Sequence, residues 1–255
     1  MKNPILQVTG LTKRFGGLTA VADLDFEVYE GEILGLIGPN GAGKSTVFNL
    51  IAGALAATAG EVRFAGEPIL GLPPHAIAAR RIMRTFQHNR PFGGMPVIDN
   101  VLVGAHTRFA SGLWAVLAGK ARAEEERQRH RAAELIDFVG LGGEARAEVD
   151  TLSFGQGRLL EIARALAGEP RLMLFDEPAA GLTPAETARI ADIIRGIAAR
   201  GIAVLLIEHD MRFLLPLAHR VVVLNFGAKI AEGAPERIRS DPAVTSAYLG
   251  NAAAA

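Results

Sequence analysis

The chain has 255 residues, balances 27 lysines and arginines against 27 aspartates and glutamates, and is 49% apolar. That length is long for one simple domain and short for two full ones, so one core with a helical elaboration is expected, with ample apolar material to exclude disorder away from the ends. Zero net charge gives no global attraction to nucleic acid, and the lack of cysteine excludes disulfides, thiol nucleophiles and thiolate metal sites. The N-terminal MKNPILQVTGLTKRFGG has no apolar signal core, and no apolar run approaches the roughly 18 residues that cross a bilayer, so the chain by itself is expected to be soluble.

Ile5 to Val8 and Ala20 to Tyr29 read as strands around a Gly16-Gly17 turn, with Leu24, Phe26 and Val28 alternating against Asp25, Glu27 and Tyr29. Phe15, just before that turn, has a ring that can either stack on a base or pack the turn. Next comes an apolar strand, Glu32 to Ile37, then Gly38-Pro39-Asn40-Gly41-Ala42-Gly43-Lys44-Ser45-Thr46, then a helix through Ile51. Gly38, Gly43, Lys44 and Ser45 stand in the GxxxxGK[ST] spacing of a phosphate cradle, and both flanks suit it better than a chance Gly-rich turn. The glycines let backbone N–H groups turn inward, Lys44 brings a charge for the β- and γ-phosphates, and Ser45 offers a hydroxyl to Mg²⁺. The helix beginning near Lys44 directs the positive end of its dipole at the same anions.

Glu61 to Ala65 with a Gly66-Glu67 turn reads as a hairpin, and Leu72-Pro73-Pro74 leads into a helical stretch through Arg81. Arg84-Thr-Phe-Gln87 places a glutamine after an apolar strand residue, a weak signal by itself. From Met95 to about Glu148 the pattern is mostly helical. Within it, Ala123 to Phe138 presents a charged, solvated face, with Ala132, Ile136 and Val139 turned inward. Ser111 to Gly119 carries the one tryptophan, Trp114, and reads as a helix packed on its neighbour, the alternative being a contact surface. Leu152-Ser153-Phe154-Gly155-Gln156 opens a helix, Gly157 to Ala167, whose N-terminal N–H groups form a second anion site.

Arg171 to Phe175 is a buried type of strand ending in Asp176-Glu177, the edge where open α/β sheets place reactive groups. Thr183-Pro-Ala-Glu186 predicts an N-cap, a first-turn proline and a capping box, with Ile190, Ile193, Ile194 and Ile197 lining one face and Gly201 closing the helix. Ile202 to Ile207 is a strand ending in Glu208-His209-Asp210, so His209 is grouped with Asp176-Glu177. Val221 to Ile230 is a hairpin turning at Phe226-Gly227, Ser240 to Leu249 is a last helix, and Asn251 to Ala255 is expected to fray. Together these parts suffice for ATP hydrolysis. Asp176 and Ser45 hold Mg²⁺ directly or through water, Glu177 takes the proton of the attacking water, His209 contacts the γ-phosphate or fixes the water, and Gln87 completes the metal sphere.

In their order, GPNGAGKST, Gln87, LSFGQ, LMLFDE and His209 resemble the ATP-binding-cassette family over nearly the whole chain. The signature, Ser153, Gly155 and Gln156 with Phe154, is the most specific of them. The resemblance implies an ATP- and Mg²⁺-dependent ATPase with Phe15 as the base-stacking aromatic. It also implies a head-to-tail dimer in which the partner's signature caps ATP, the second subunit being a copy or a paralogue. RTFQ, Met95-Pro-Val-Ile-Asp-Asn-Val, EIARAL, DEPAAGL, IEHDM and Ala247-Tyr-Leu-Gly are similar to the ATP-binding subunit of branched-chain amino-acid importers. Such subunits sit on the cytoplasmic face of the inner or plasma membrane, peripheral through a permease fed by a solute-binding protein, and do not act on nucleic acid.

The chain departs from the general wording at Phe154, at Gly157 and Leu159, and at Ala179-Ala180-Gly181-Leu182, and a glycine early in a helix costs up to about 1 kcal/mol relative to alanine. The expected fold is α/β, one nucleotide-binding domain over 1–255: a P-loop core with an antiparallel β edge (1–90 and 166–255) and a helical subdomain at about 91–165. Part of the permease docking surface is expected over Val97 to Leu117. The rival readings are a cassette for another cargo, such as urea, an amide or a lipid; a soluble cassette ATPase acting on DNA or ribosomes; and a module that only binds nucleotide, against which every reactive position is filled.

Overall fold

Three five-residue segments, each buried along its whole length, set the architecture: β3 (Ile33–Ile37), β7 (Leu172–Asp176) and β8 (Ala203–Ile207). Unbroken apolar runs are what parallel strands covered on both faces require. The computed structural model describes residues 3–85, 91–106 and 120–250. In it these strands join β6 (Ile82–Arg84) and β9 (Arg220–Asn225) in the parallel order β9-β3-β8-β7-β6, with β10 (Ala228–Gly233) antiparallel at the β9 edge. A second sheet is antiparallel, in the order β2 (Leu18–Val28), β1 (Leu6–Phe15), β4 (Ala59–Phe64), β5 (Glu67–Pro68).

Strand alternation divides the core in two. Ile33, Ile37, Met173, Phe175, Val204 and Leu206 face one side, against α5 (Phe154–Ala167) and α6 (Pro184–Ala199). Leu34, Leu36, Leu172, Leu174, Leu205 and Ile207 face the other, against α1 (Lys44–Ile51) and the inner face of the antiparallel sheet. The remaining helices are α2 (Pro74–Ala79), α3 (Val97–Gly104), α4 (Lys120–Val139), α7 (Met211–Leu214), α8 (Pro235–Arg239) and α9 (Pro242–Gly250), and α3, α4 and α5 pack on one another. In α4, Ala132, Ile136 and Val139 are buried as the periodicity predicts.

Several boundaries differ from the sequence reading for physical reasons. β1 continues through Thr9–Arg14, a stretch too polar to read as strand, because register shifts between Val8 and Arg14 rotate its side chains to suit each face. The β4–β5 turn falls on Ala65-Gly66, both at positive φ, rather than on Gly66-Glu67. The signature helix begins at Phe154 rather than Gly157, because Ser153 caps it. Helix α8, absent from the sequence reading, starts with Pro235 in its first turn. Gln87, the Trp114 segment and Asn251–Ala255 lie outside the described residues, as does the 107–117 part of the expected docking surface. Among the described residues no helix is long and apolar enough to cross a membrane.

Candidate functional site

The loop from Gly38 to Gly43 joins β3 to α1 and is shaped by close backbone approaches. A Cβ on Gly38 (φ +155°) would sit 2.2 Å from the Leu224 carbonyl oxygen, and one on Gly43 (φ +99°) 2.3 Å from that of Ala20. Only glycine fits either place. The β9–β10 turn fixes the same loop, the Gly227 N–H donating to Ala42 O at 3.1 Å and the Ala22 N–H donating to Gly227 O at 2.9 Å. No side chain caps α1, so its first N–H groups face the loop as an anion site. Lys44 is buried, and its ammonium donates to the Gly38 and Pro39 carbonyls at 2.7 and 2.9 Å. Burial lowers its pKa, while the charges of Glu177 and Asp176 oppose that shift. Thus the lysine and the two carboxylates converge although more than 130 residues separate them in sequence.

Asp176 ends β7 and is 6% exposed. Arg84, at the end of neighbouring β6, donates to Asp176 Oδ2 at 2.8 Å and to Asn49 Oδ1 on α1 at 2.6 Å. One carboxylate oxygen is thereby fixed by a guanidinium. Ser45 and Asp176 are the hard oxygen donors that Mg²⁺ prefers, so the donor set fits that ion. Glu177 follows in the left-handed region, φ +48°, with its N–H on Ile207 O at 3.0 Å. Such a conformation costs a non-glycine residue roughly 1 kcal/mol or more. It brings Glu177 Oε1 to 3.4 Å from His209 Nδ1. Glu208, buried at 2% exposure, accepts from the N–H groups of Ala179 and His209, both at 3.3 Å, and burial raises its pKa. The arrangement sets a partly exposed carboxylate beside an imidazole, next to a cationic phosphate cradle.

The signature residues form a separate group at the start of α5. Ser153 Oγ accepts from the Gln156 N–H at 3.2 Å, and Gln156 Oε1 accepts from the Ser153 N–H at 2.9 Å, a complete capping box. This satisfies part of the helix end that the sequence reading left open to an anion, and the Ser153 hydroxyl keeps its hydrogen to donate. Gly155 is pressed against α6: a Cβ there would lie 2.1 Å from Glu186 Oε1, itself held in the Thr183 capping box. Phe154 is 56% exposed with the Arg158 guanidinium over its ring. Gly157 and Leu159, unusual by wording, are buried, which accounts for the lack of polar side chains there.

Phe15 lies at the tip of the β1–β2 hairpin, 46% exposed, with Lys13 Nζ 4.8 Å above its ring. Arg84 and Glu208 carry no role in the sequence reading. The signal for each was position alone: Arg84 stands three residues before Gln87, and Glu208 directly before His209.

Comparison with known proteins gives one consistent neighbourhood. A family model described as ABC transporter matches residues 21–180, and one described as branched-chain amino acid ATP-binding cassette transporter matches 228–254. The chain is 45% identical to the high-affinity branched-chain amino acid transport ATP-binding protein BraF of Pseudomonas aeruginosa, over 99% of this chain and 100% of the relative. It is 42% identical to LivG of Escherichia coli K12, a protein of the same description, with the same coverage. Among solved structures it superposes on the ADP conformation of MJ1267, an ATP-binding cassette of an ABC transporter, with a TM-score of 0.86 and 33% identity over 98% of this chain and 100% of that one. A dimeric post-hydrolysis state of the cassette MJ0796 bound to ADP and Pi aligns with a TM-score of 0.76 and 25% identity, over 90% and 98% of the two chains.

Proposed function

The chain belongs to the ABC transporter family as an ATPase, and we propose that the transporter it powers imports branched-chain amino acids. The carrying observation is that the likeness to BraF and LivG runs the full length of the chain, and that the branched-chain model matches residues 228–254, beyond the P-loop and the strand-end carboxylates.

In the proposed cycle the residues Gly38 to Thr46 cradle the triphosphate, Phe15 stacks on the base, and Lys44 leaves the Gly38 and Pro39 carbonyls for the β- and γ-phosphates. Glu177 accepts a proton from the attacking water at its carboxylate. His209, 3.4 Å from Glu177 Oε1, orients that carboxylate or the water. Ser45, Asp176 and Gln87 would hold Mg²⁺, which when bound neutralises charge on the β- and γ-phosphates. Ser153, Gly155 and Gln156 lie on a different element, and their role in this reading is to cap ATP on a second cassette, a copy or a paralogue, in a head-to-tail dimer. A helical subdomain at about 91–165 would meet the permease on the cytoplasmic face of the membrane, with a solute-binding protein acting indirectly.

Two experiments test this. The purified chain should hydrolyse Mg·ATP, and Glu177→Gln should bind ATP while losing turnover by about a hundredfold or more; near-normal turnover in that variant would remove Glu177 as the base. Isolation of the chain from solubilised membranes should bring a permease pair and a solute-binding protein whose ligand is a branched-chain amino acid. A binding protein for urea, an amide or a lipid would change the cargo, and nucleic acid or ribosomes in its place would overturn transport.

A further inference from the structure

Glu208 has no part in the cycle above, yet its side chain reaches from the segment of His209 to the loop that follows Glu177. Its Oε1 accepts from the Ala179 N–H at 3.3 Å, and its Oε2 accepts from the His209 N–H at 3.3 Å. Oε2 also lies 3.8 Å from His209 Nδ1, the ring atom that is 3.4 Å from Glu177 Oε1. Ala179 belongs to the loop leaving Glu177, itself turned tightly by the Ala180 N–H on Glu177 O at 3.2 Å and the Leu182 N–H on Ala179 O at 3.2 Å. At 2% exposure Glu208 is too buried to meet nucleotide. A carboxylate in such a place is costly, and two long backbone hydrogen bonds compensate it poorly. Because His209 is the next residue in the chain, the bond that crosses between segments is the one from the Ala179 N–H, and it requires an acceptor oxygen at this position.

We propose that Glu208 is a positioning residue that couples the 177–182 loop to His209, so that a shift of either segment moves the other and, through them, Glu177. The inference rests on the reading of Glu177 and His209 as parts of the ATPase site. Methionine keeps the length but has no oxygen to accept from the Ala179 N–H, whereas glutamine keeps the shape and one acceptor oxygen that can take that bond.

The test is the steady-state ATPase of purified Glu208→Met and Glu208→Gln beside the unmodified chain. Expected in Glu208→Met is a kcat lower by about ten- to a hundredfold, with KM for Mg·ATP within about twofold, and in Glu208→Gln a kcat recovered to within about threefold of the unmodified chain. A kcat within about twofold in Glu208→Met overturns the proposal, and so does a glutamine variant as slow as the methionine one, because the acceptor oxygen is then not what positions the segments. Residue-resolved hydrogen exchange on the unmodified chain gives a check without a variant. Without nucleotide the Ala179 amide should be protected by its bond to Glu208, and exchange at the rate of a free amide overturns the coupling. If the unmodified chain shows no ATPase activity, or Glu177→Gln stays fully active, the underlying reading fails instead, and the exchange result still decides whether the two segments are tied.

Discussion

Removing the Arg84 side chain should destabilise the protein far more than an ordinary surface substitution. Arg84 and Asp176 are 17% and 8% exposed in their side chains, and the guanidinium joins β6, β7 and α1 by way of Asp176 at 2.8 Å and Asn49 at 2.6 Å. Arg84→Met keeps the length and the contact with Phe48, over whose ring the guanidinium lies, but leaves the Asp176 carboxylate buried without its cation. Breaking a buried pair from one side costs roughly 3–5 kcal/mol. The residual exposure of Arg84 discounts this to about 2–4 kcal/mol, which for a chain of this size lowers the melting temperature by roughly 5–15 °C. Melts should be followed by circular dichroism without nucleotide at low and at physiological salt, since a buried pair is little screened. The double variant Arg84→Met with Asp176→Asn removes the stranded charge and should recover most of the loss. A fall of less than about 2 °C in the single variant, or a double variant that melts lower than the single one, would refute the reasoning.

Three further outcomes are expected. Gly155→Ala places a Cβ 2.1 Å from Glu186 Oε1 and 2.6 Å from its Cδ, and so breaks the Thr183–Glu186 capping box. It should cost about 1–2 kcal/mol in thermal melts, and less when Glu186 is already alanine; an unchanged melting temperature would contradict the packing. Phe15→Ala should raise the Kd for ATP about three- to tenfold with kcat at saturation unchanged, if the exposed ring stacks on the base; unaltered affinity in equilibrium titration would remove Phe15 from the site. Burial pushes the Tyr248 phenol up to about 12, and its hydrogen bond to Glu27 raises Tyr29, so in the folded protein neither tyrosine should ionise at the ordinary 10.0. For Tyr248 a raised folded-state pKa means stability that is complete below pH 10.0 and lost as pH rises through about 12; Tyr248→Phe should remove that share of the alkaline loss and leave the share of Tyr29. Tyrosinate absorbance reaching full amplitude near pH 10.0 in folded protein would contradict it.

How much could be read from sequence depended on whether the signal was local. The parallel core was legible because Ile33–Ile37, Leu172–Asp176 and Ala203–Ile207 are nearly all apolar, as only strands covered on both faces need to be. The start of α6 was legible because a cap, a proline and a capping-box glutamate fall within four consecutive residues, Thr183 to Glu186. The same motif at Ser153-Phe-Gly-Gln156 stood equally open to view, but Ser153 and Gln156 were given wholly to nucleotide; the structure has them closing their own helix as well. β1 was cut short because bulges break the period-two pattern that identifies a strand.

What could not be read is what strand register creates. Arg84 meets Asp176 because β6 runs parallel to β7 with Arg84 beside Leu174, and Glu208 meets Ala179 because β8 sets Ile207 beside Asp176. A shift of one residue in either pairing would turn the side chains to the other face and dissolve both contacts. The partners are 92 and 29 residues apart, and no pattern within either segment names the other. Register itself follows from burying Leu172, Leu174 and Leu205 on one face and Met173, Phe175 and Leu206 on the other. The apolar alternation that builds the core therefore also places a guanidinium on Asp176 and a second carboxylate behind His209. A core substitution that slipped β7 against β8 would accordingly disturb the strand-end site before it unfolded the sheet.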